Sequence, residues 1–269
     1  MEITFENRTA VVTGAAGGLG RAVCDLLVGA GADVIGLDLA PVDQAGVREL
    51  SVDMADPSSI DAAVDAIGAG VDVICNIAGL PQTKPAGMVM RVNYLGMRHL
   101  VDALGPTMAE GGTVVNVASN AGNSWTARAD ELRTVLDLEG FVAGAEWVDA
   151  HVQEIGDPYI YSKELVQLYT LRDSHTLYRD HGIRMNCVSP GEMETPMIDE
   201  FRAAMTDKII DAVAAAGTLG RMATPEEVAP AVVFLASDLA RYCSGTILNV
   251  DGGWTAVNLT DQVDYSVFS

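Results

Sequence analysis

Basic residues are scarce. Lysine and arginine number 16 against 37 aspartates and glutamates, a formal charge of −21 at neutral pH. Such a field repels phosphates, so nucleic acid is excluded as a partner. The acidity itself fits either salt adaptation or simple solubility. Cysteine is also sparse: Cys24, Cys75, Cys187 and Cys243 lack CxxC spacing and sit among apolar or small residues. They read as buried thiols of a reducing cytoplasm. The four histidines, His99, His151, His175 and His181, show no metal-ligand spacing, so no metal is expected. No apolar run reaches membrane-spanning length, which excludes a membrane partner of that kind. The opening MEITFENRTA has neither a basic nor an apolar leader region, so a cytoplasmic location is expected. Repeats, low-complexity tracts and linkers are missing too, and one domain over 1–269 accounts for the chain.

Apolar residues make up 49% of the 269 positions, enough for a substantial core. They gather in short β-rich runs: TAVVT (9–13), DVIGLD (33–38), VDVICN (71–76), TVVNVAS (113–119), IRMNCVS (183–189) and TILNV (246–250). Between them lie segments of helical periodicity at 19–32, 57–69, 159–180 and 225–236. Asp56 is placed to cap the second, with Pro57 at its first position, and Thr224 with Glu227 forms a capping box for the last. Continuous apolar strands alternating with helices predict an α/β fold, a doubly wound parallel sheet covered on both faces. The stretch 124–158 interrupts the alternation. Phe141, Ala145, Val148, Val152 and Ile155 predict an amphipathic helix there, and eight acidic residues from Asp130 to Asp157 predict a solvated outer face.

The first strand runs into TGAAGGLG, with Gly14, Gly18 and Gly20. Glycines at a strand-to-helix turn let the backbone approach a pyrophosphate at the helix N-terminus. The second strand ends at Asp38, whose carboxylate can accept from ribose hydroxyls. A 2′-phosphate would meet a like charge there. The following Leu39, Ala40 and Pro41 are not basic, nor is Gly17 before Gly18, so NAD is predicted over NADP.

The sequence YIYSK (159–163) places Tyr159 and Lys163 four apart on one helix face and turns Tyr161 elsewhere. A phenol titrates near 10, and bringing it to about 7 takes about 4 kcal/mol. An ammonium about 4 Å away supplies a comparable amount at an effective dielectric near 20. Lys163 is therefore expected to tune Tyr159 as the acid or base of an alcohol–carbonyl pair. Ser119, at a strand end, can bond the substrate oxygen. Leu80–Gln82, Asn123–Thr126 and Met193–Met222, in a methionine-rich stretch, should wall the cleft. Among these, Leu80, Trp125, Met193, Met197, Phe201 and Met205 make an apolar pocket, suited to a small apolar alcohol or ketone.

Together these segments resemble the short-chain dehydrogenase/reductase superfamily over nearly the whole chain. TGAAGGLG resembles its cofactor loop, Leu19 included. Asp53 resembles the acid that contacts adenine, with Met54 beside it. NIAG (Asn76, Ala78, Gly79) resembles the strand-end motif, and Asn93, Ser119, Tyr159 and Lys163 the catalytic tetrad. PGEMET (Pro190, Gly191, Met193, Thr195) resembles the segment beside the nicotinamide. The resemblance implies a seven-stranded parallel sheet. It also implies that Ser119 orients the substrate oxygen, Tyr159 moves the proton, Lys163 holds ribose and Asn93 orders a relay water.

Ser119 and Tyr159 are separated by 39 residues, far more than in most members. That insertion, with LPQTK after NIAG, resembles bacterial 3α-hydroxysteroid dehydrogenase/carbonyl reductases, which implies a steroid, terpenoid or other alicyclic substrate. In the superfamily the Tyr159 helix commonly packs on a second subunit. An added helix there implies a homodimer built through the last strand and the 225–236 helix, with a tetramer as the alternative. A 3-oxoacyl or sugar-type reductase is the competing reading, disfavoured by Asp38. An NAD-sensing scaffold without catalysis is disfavoured by the intact catalytic set.

Overall fold

The computed structural model describes residues 3–204 and 207–263. Seven strands form one all-parallel sheet: β1 (Thr9–Thr13), β2 (Asp33–Asp38), β3 (Val47–Ser51), β4 (Val73–Asn76), β5 (Thr113–Val117), β6 (Arg184–Pro190) and β7 (Ile247–Val250). Their order is β3-β2-β1-β4-β5-β6-β7. Thr13 pairs with Leu37 on one side and Asn76 on the other, so the order reverses at β1 and β4 and opens a crevice beyond their carboxyl ends.

The helices are α1 (Gly18–Gly29), α2 (Pro57–Ile67), α3 (Ala86–Met90), α4 (Met97–Leu104), α5 (Ala129–Leu136), α6 (Gly140–His151), α7 (Pro158–His181), α8 (Pro196–Ala204), α9 (Asp207–Ala216), α10 (Pro225–Ala236) and α11 (Trp254–Leu259). Strand residues alternate between two cores. Val11, Ile35, Ile74 and Val114 face Ile60, Leu100 and Leu165 on one side. Ala10, Val12, Val34, Val73 and Val115 face Val23, Leu27, Val228 and Val232 on the other. Both faces are thus dry, which is why the central strands are apolar without interruption.

The caps follow the local sequence. Asp56 accepts from the Ser58 N–H, and Glu227 reaches back to the Thr224 N–H at 3.0 Å. The six strands read as apolar runs are present within two residues at either end. The seventh, β3, has Arg48, Glu49 and Ser51 and is half exposed, because it is an edge strand with little to bury. Cys24, Cys75 and Cys187 are buried and Cys243 half-buried, all as free thiols. Burial pushes the Cys24 and Cys187 thiols up to about 12, away from reactivity at neutral pH.

The insertion holds two α-helices where periodicity predicted one. Helix α5 carries only eight residues, of which Leu132, Val135 and Leu136 are buried. Phe141, Gly144 and Val148 are the buried face of α6, and Ile155 is buried beyond its end. A Cβ on Gly144 would lie 2.5 Å from the Leu95 side chain, so the glycine lets α6 press close. All eight acids from Asp130 to Asp157 are exposed. No helix among the described residues is long and apolar enough to cross a membrane.

Candidate active site

The glycine turn is tight because nothing larger fits. A Cβ on Gly14 would sit 2.9 Å from the Ala78 backbone, and one on Gly20 would sit 1.9 Å from the Gly14 carbonyl oxygen. Gly17 caps α1 without a side-chain hydrogen bond, and no acid lies in that helix's first turn. Its first N–H groups are left for an anion. Asp38 stands beside this turn: Oδ2 accepts from the Ala16 N–H at 3.0 Å and Oδ1 from the Ala40 N–H at 2.9 Å. A carboxylate oxygen has a second lone pair, so each can also accept from a ligand hydroxyl.

A cleft of about 290 Å³ follows from that turn along the strand ends. It brings together Gly14, Gly18, Leu19, Asp38, Ala78, Gly79, Ser119, Tyr159, Lys163, Pro190, Gly191, Met193, Thr195 and Met197. The other predicted contacts lie behind the lining. Gly20 is under the turn, as its clash shows. Asn76 is buried and bonds Asn116 at 2.9 Å. Asp53 accepts from the Ala55 N–H at 2.8 Å, and Met54 is in the core. The Met54 carbonyl would be 2.1 Å from a Cβ on Gly96, so that glycine lets the loop seat against the following helix.

A second cavity, about 230 Å³, adjoins the cleft and shares Ser119, Tyr159, Gly191, Met193, Thr195 and Met197 with it. Phe201, Ile160, Ile198, Ile210 and Val213 complete its apolar wall, and Phe201 packs edge-on to Tyr159 with ring centroids 5.0 Å apart. Leu80 and Trp125 lie outside its lining; Gln82 is the neighbour of Leu80 that reaches it. Trp125 packs instead on the core beneath the insertion. Met205 lies outside the described residues.

Helix α7 carries Tyr159 and Lys163. Asp157 caps it through the Tyr159 and Ile160 N–H groups. Tyr159 and Lys163 face the cleft, while Tyr161 is fully buried, stacked on Trp147 and covered by the Arg128 guanidinium. Asn93 is buried in a π-helical turn, Arg91–Gly96, a widened geometry frequent at functional sites. It accepts from the Leu80 N–H at 2.7 Å, and donates to the Leu80 carbonyl at 3.0 Å and Ser162 Oγ at 3.1 Å. Here Asn93 fixes the loop after β4.

The expected coupling of Lys163 to Tyr159 takes a different form. Lys163 Nζ donates to the Val117 carbonyl at 3.0 Å and lies 5.6 Å from the centre of the Tyr159 ring. Burial pushes the phenol up to about 12; Ser119, hydrogen-bonded to it, opposes this, while Glu192 and Asp157 add to it. The ammonium donates to a backbone carbonyl, and burial outweighs what lowers the phenol.

Burial pushes the Lys163 ammonium down to about 8. The folded chain thus binds fewer protons than the unfolded chain between about pH 8 and 10.5, so stability rises with pH across that window. The penalty is fully present below about pH 8. Lys163→Met should therefore raise the unfolding free energy of nucleotide-free protein at pH 7 by on the order of 2 kcal/mol, read as a higher urea midpoint. An unchanged or lower midpoint would count against a buried charge.

Sequence reasoning missed Gln167. Buried one turn beyond Lys163, it donates to the Ser119 carbonyl at 2.9 Å and Asn123 Oδ1 at 2.8 Å. The signal was present: residues 159, 163 and 167 fall on one face of the helix at steps of four. Glu192 and Asn120, both lining the second cavity, were also missed.

The family model described as short chain dehydrogenase matches residues 8–129, and that described as Enoyl-(Acyl carrier protein) reductase matches 150–255. The stretch between the two matches falls within the insertion. A coniferyl-alcohol dehydrogenase of Pseudomonas sp. (strain HR199 / DSM 7063) is 31% identical over 253 residues, covering 94% of this chain and 98% of the relative. A 3-alpha-hydroxysteroid dehydrogenase/carbonyl reductase of Comamonas testosteroni is 31% identical, covering 92% and 96%. The crystal structure of a 3-alpha-hydroxysteroid dehydrogenase from Pseudomonas sp. B-0831, complexed with NADH, superposes with a TM-score of 0.77 at 29% identity, covering 94% and 98%.

Proposed function

The chain belongs to the short-chain dehydrogenase/reductase family, and from that membership we propose that it interconverts a cyclic, apolar secondary alcohol and its ketone with NAD. One observation carries this: Ser119 and Tyr159 line both the cleft beside the glycine turn and the apolar cavity. A carbinol in the cavity and a nucleotide in the cleft would meet at those two side chains. The NADH complex of the similar Pseudomonas structure supports the choice of nucleotide.

The residues present fit a dinucleotide. The uncapped start of α1 receives the pyrophosphate, Asp38 the adenosine ribose, and Lys163 the second ribose. Bound NAD⁺ supplies the hydride acceptor and a positive charge. Ser119 donates to or accepts from the substrate oxygen, and Tyr159 takes the hydroxyl proton as the carbonyl forms. Lys163 would hold the second ribose and, from there, would stabilise the phenolate. Phe201, Met193 and Met197 keep water from the carbinol.

A screen of hydroxysteroids, monoterpenols and cyclic alcohols for NAD reduction tests the reading. Turnover confined to charged or acyl-carrier substrates would sink it. A second reading is favoured by the coniferyl-alcohol relative: a ring-bearing primary alcohol, so coniferyl alcohol belongs in the panel.

The assembly follows from the insertion. Helices α5 and α6 cover the back of α7, while β7 is a partly exposed edge. A homodimer through β7 and α10 is expected, and light scattering should give the mass of two chains. A mass of four would refute it.

A further inference from the structure

The apolar cavity also carries polar groups, Gln82, Ser119, Asp157 and Thr195 among them. Asn120 and Glu192 line it, opposite in chemistry to the wall of Met193, Met197, Ile198, Phe201, Ile210 and Val213. The Asn120 Nδ2 is buried and without a hydrogen bond of ordinary geometry, while its Oδ1 accepts from Ser119 Oγ at 3.3 Å. That amide nonetheless lies near enough to Glu192 to favour its charged form, against burial, which pushes the carboxyl up. Glu192 is half-buried and makes no ion pair among the described residues; Arg221, which lines an adjoining cavity with it, is engaged by both oxygens of Glu227 at 2.7 Å. Buried polar groups without partners cost free energy, and a ligand group that completes them recovers it.

We propose that Asn120 and Glu192 form a subsite for a second hydroxyl of the substrate, so that the preferred substrate is a neutral, largely apolar alcohol with one further hydroxyl. A hydroxyl suits both groups at once: its proton goes to a Glu192 oxygen and its lone pair faces the Asn120 N–H. A carboxylate does not suit them, because it brings no proton to Glu192 and meets Asp157 in the same cavity. An apolar substrate leaves the two groups with only each other, and a site built to bond a hydroxyl discriminates strongly against an analogue lacking it. Glu192 also lines an adjoining cavity of about 230 Å³ with Val213, Arg221 and Asp251, so there is space beyond the subsite for a longer ring system. This inference rests on the proposed reaction for its orientation, since it assumes the carbinol at Ser119 and Tyr159.

The test uses matched pairs that differ by one hydroxyl: cyclohexanol against its 1,3- and 1,4-diols, and 4-cyclohexylcyclohexanol against bicyclohexyl-4,4′-diol. Dissociation constants for NADH-loaded enzyme, by calorimetry, are measured beside kcat/KM with NAD⁺. In at least one pair the diol should bind about tenfold or more tightly than its mono-ol, the order expected of a hydrogen bond to a charged partner. Glu192→Leu and Asn120→Ala should each collapse that ratio to below about twofold, and Glu192→Gln, which keeps size and an acceptor, should reduce it partway. 4-Hydroxycyclohexanecarboxylate should bind more weakly than 1,4-cyclohexanediol. Ratios near one in every pair, a ratio that survives Glu192→Leu, or equal binding of the carboxylate would overturn the subsite. Absence of turnover on every alcohol would remove the proposed reaction, and the calorimetric ratios would still decide the subsite.

Discussion

Replacing Tyr159 with phenylalanine should lower kcat/KM for alcohol oxidation by about 10²–10⁴-fold, the usual worth of a positioned acid–base group. NAD should still bind within a few-fold of its normal affinity, measured by quenching of protein fluorescence. The phenylalanine keeps the edge-on contact with Phe201, so the cavity keeps its shape while the proton carrier is lost. Tyr161→Phe is the internal control. Its hydroxyl is buried with no hydrogen bond of ordinary geometry, so losing it should leave kcat/KM within a few-fold and Tm unchanged or higher. Equal losses in the two variants would refute the helix-face assignment. The pH dependence has a definite sign. With Tyr159 as the proposed base, kcat/KM for oxidation should rise with pH until the phenol has ionised in the nucleotide complex, and reduction should fall over the same range. The phenol stands at about 12 in the structure, so any lower value read from that profile measures what nucleotide and Lys163 contribute together.

The second large effect concerns nucleotide choice. The wild-type chain should use NAD over NADP by about 10²-fold or more in kcat/KM, because a like charge at a 2′-phosphate costs several kcal/mol. Asp38→Asn removes the charge and keeps an acceptor for the Ala16 N–H, which Asp38 holds at 3.0 Å. That variant should bring the preference down by at least about tenfold. Asp38→Arg should go further, toward NADP, with some loss of affinity for both because the turn loses its acceptor. A wild-type preference for NADP would remove the assignment of Asp38 to the ribose.

Much of the architecture was legible because both faces of the sheet are dry. Strands buried on two sides, such as β1 with Ala10, Val11 and Val12, read as unbroken apolar runs. Strand β3 did not, since an edge strand with Arg48 and Glu49 has no such pattern. Helix α5 escaped because eight residues give barely two turns of periodicity. In the site, residue identity was legible and direction was not. Trp125 has the composition of a pocket wall and packs on the core; Glu192 sat inside a recognised motif, yet its exposure to the cavity depends on how α8 and α9 close over it. The Lys163–Tyr159 spacing correctly put both on one face, but spacing says nothing of a competing acceptor, and the Val117 carbonyl is that acceptor.

The cover over Tyr161 has a practical corollary. Trp147, Arg128 and α5 come from the same chain and close the rear of α7. Specific activity should therefore hold on dilution to nanomolar concentrations, where subunits that complete one another's helices would come apart and lose turnover.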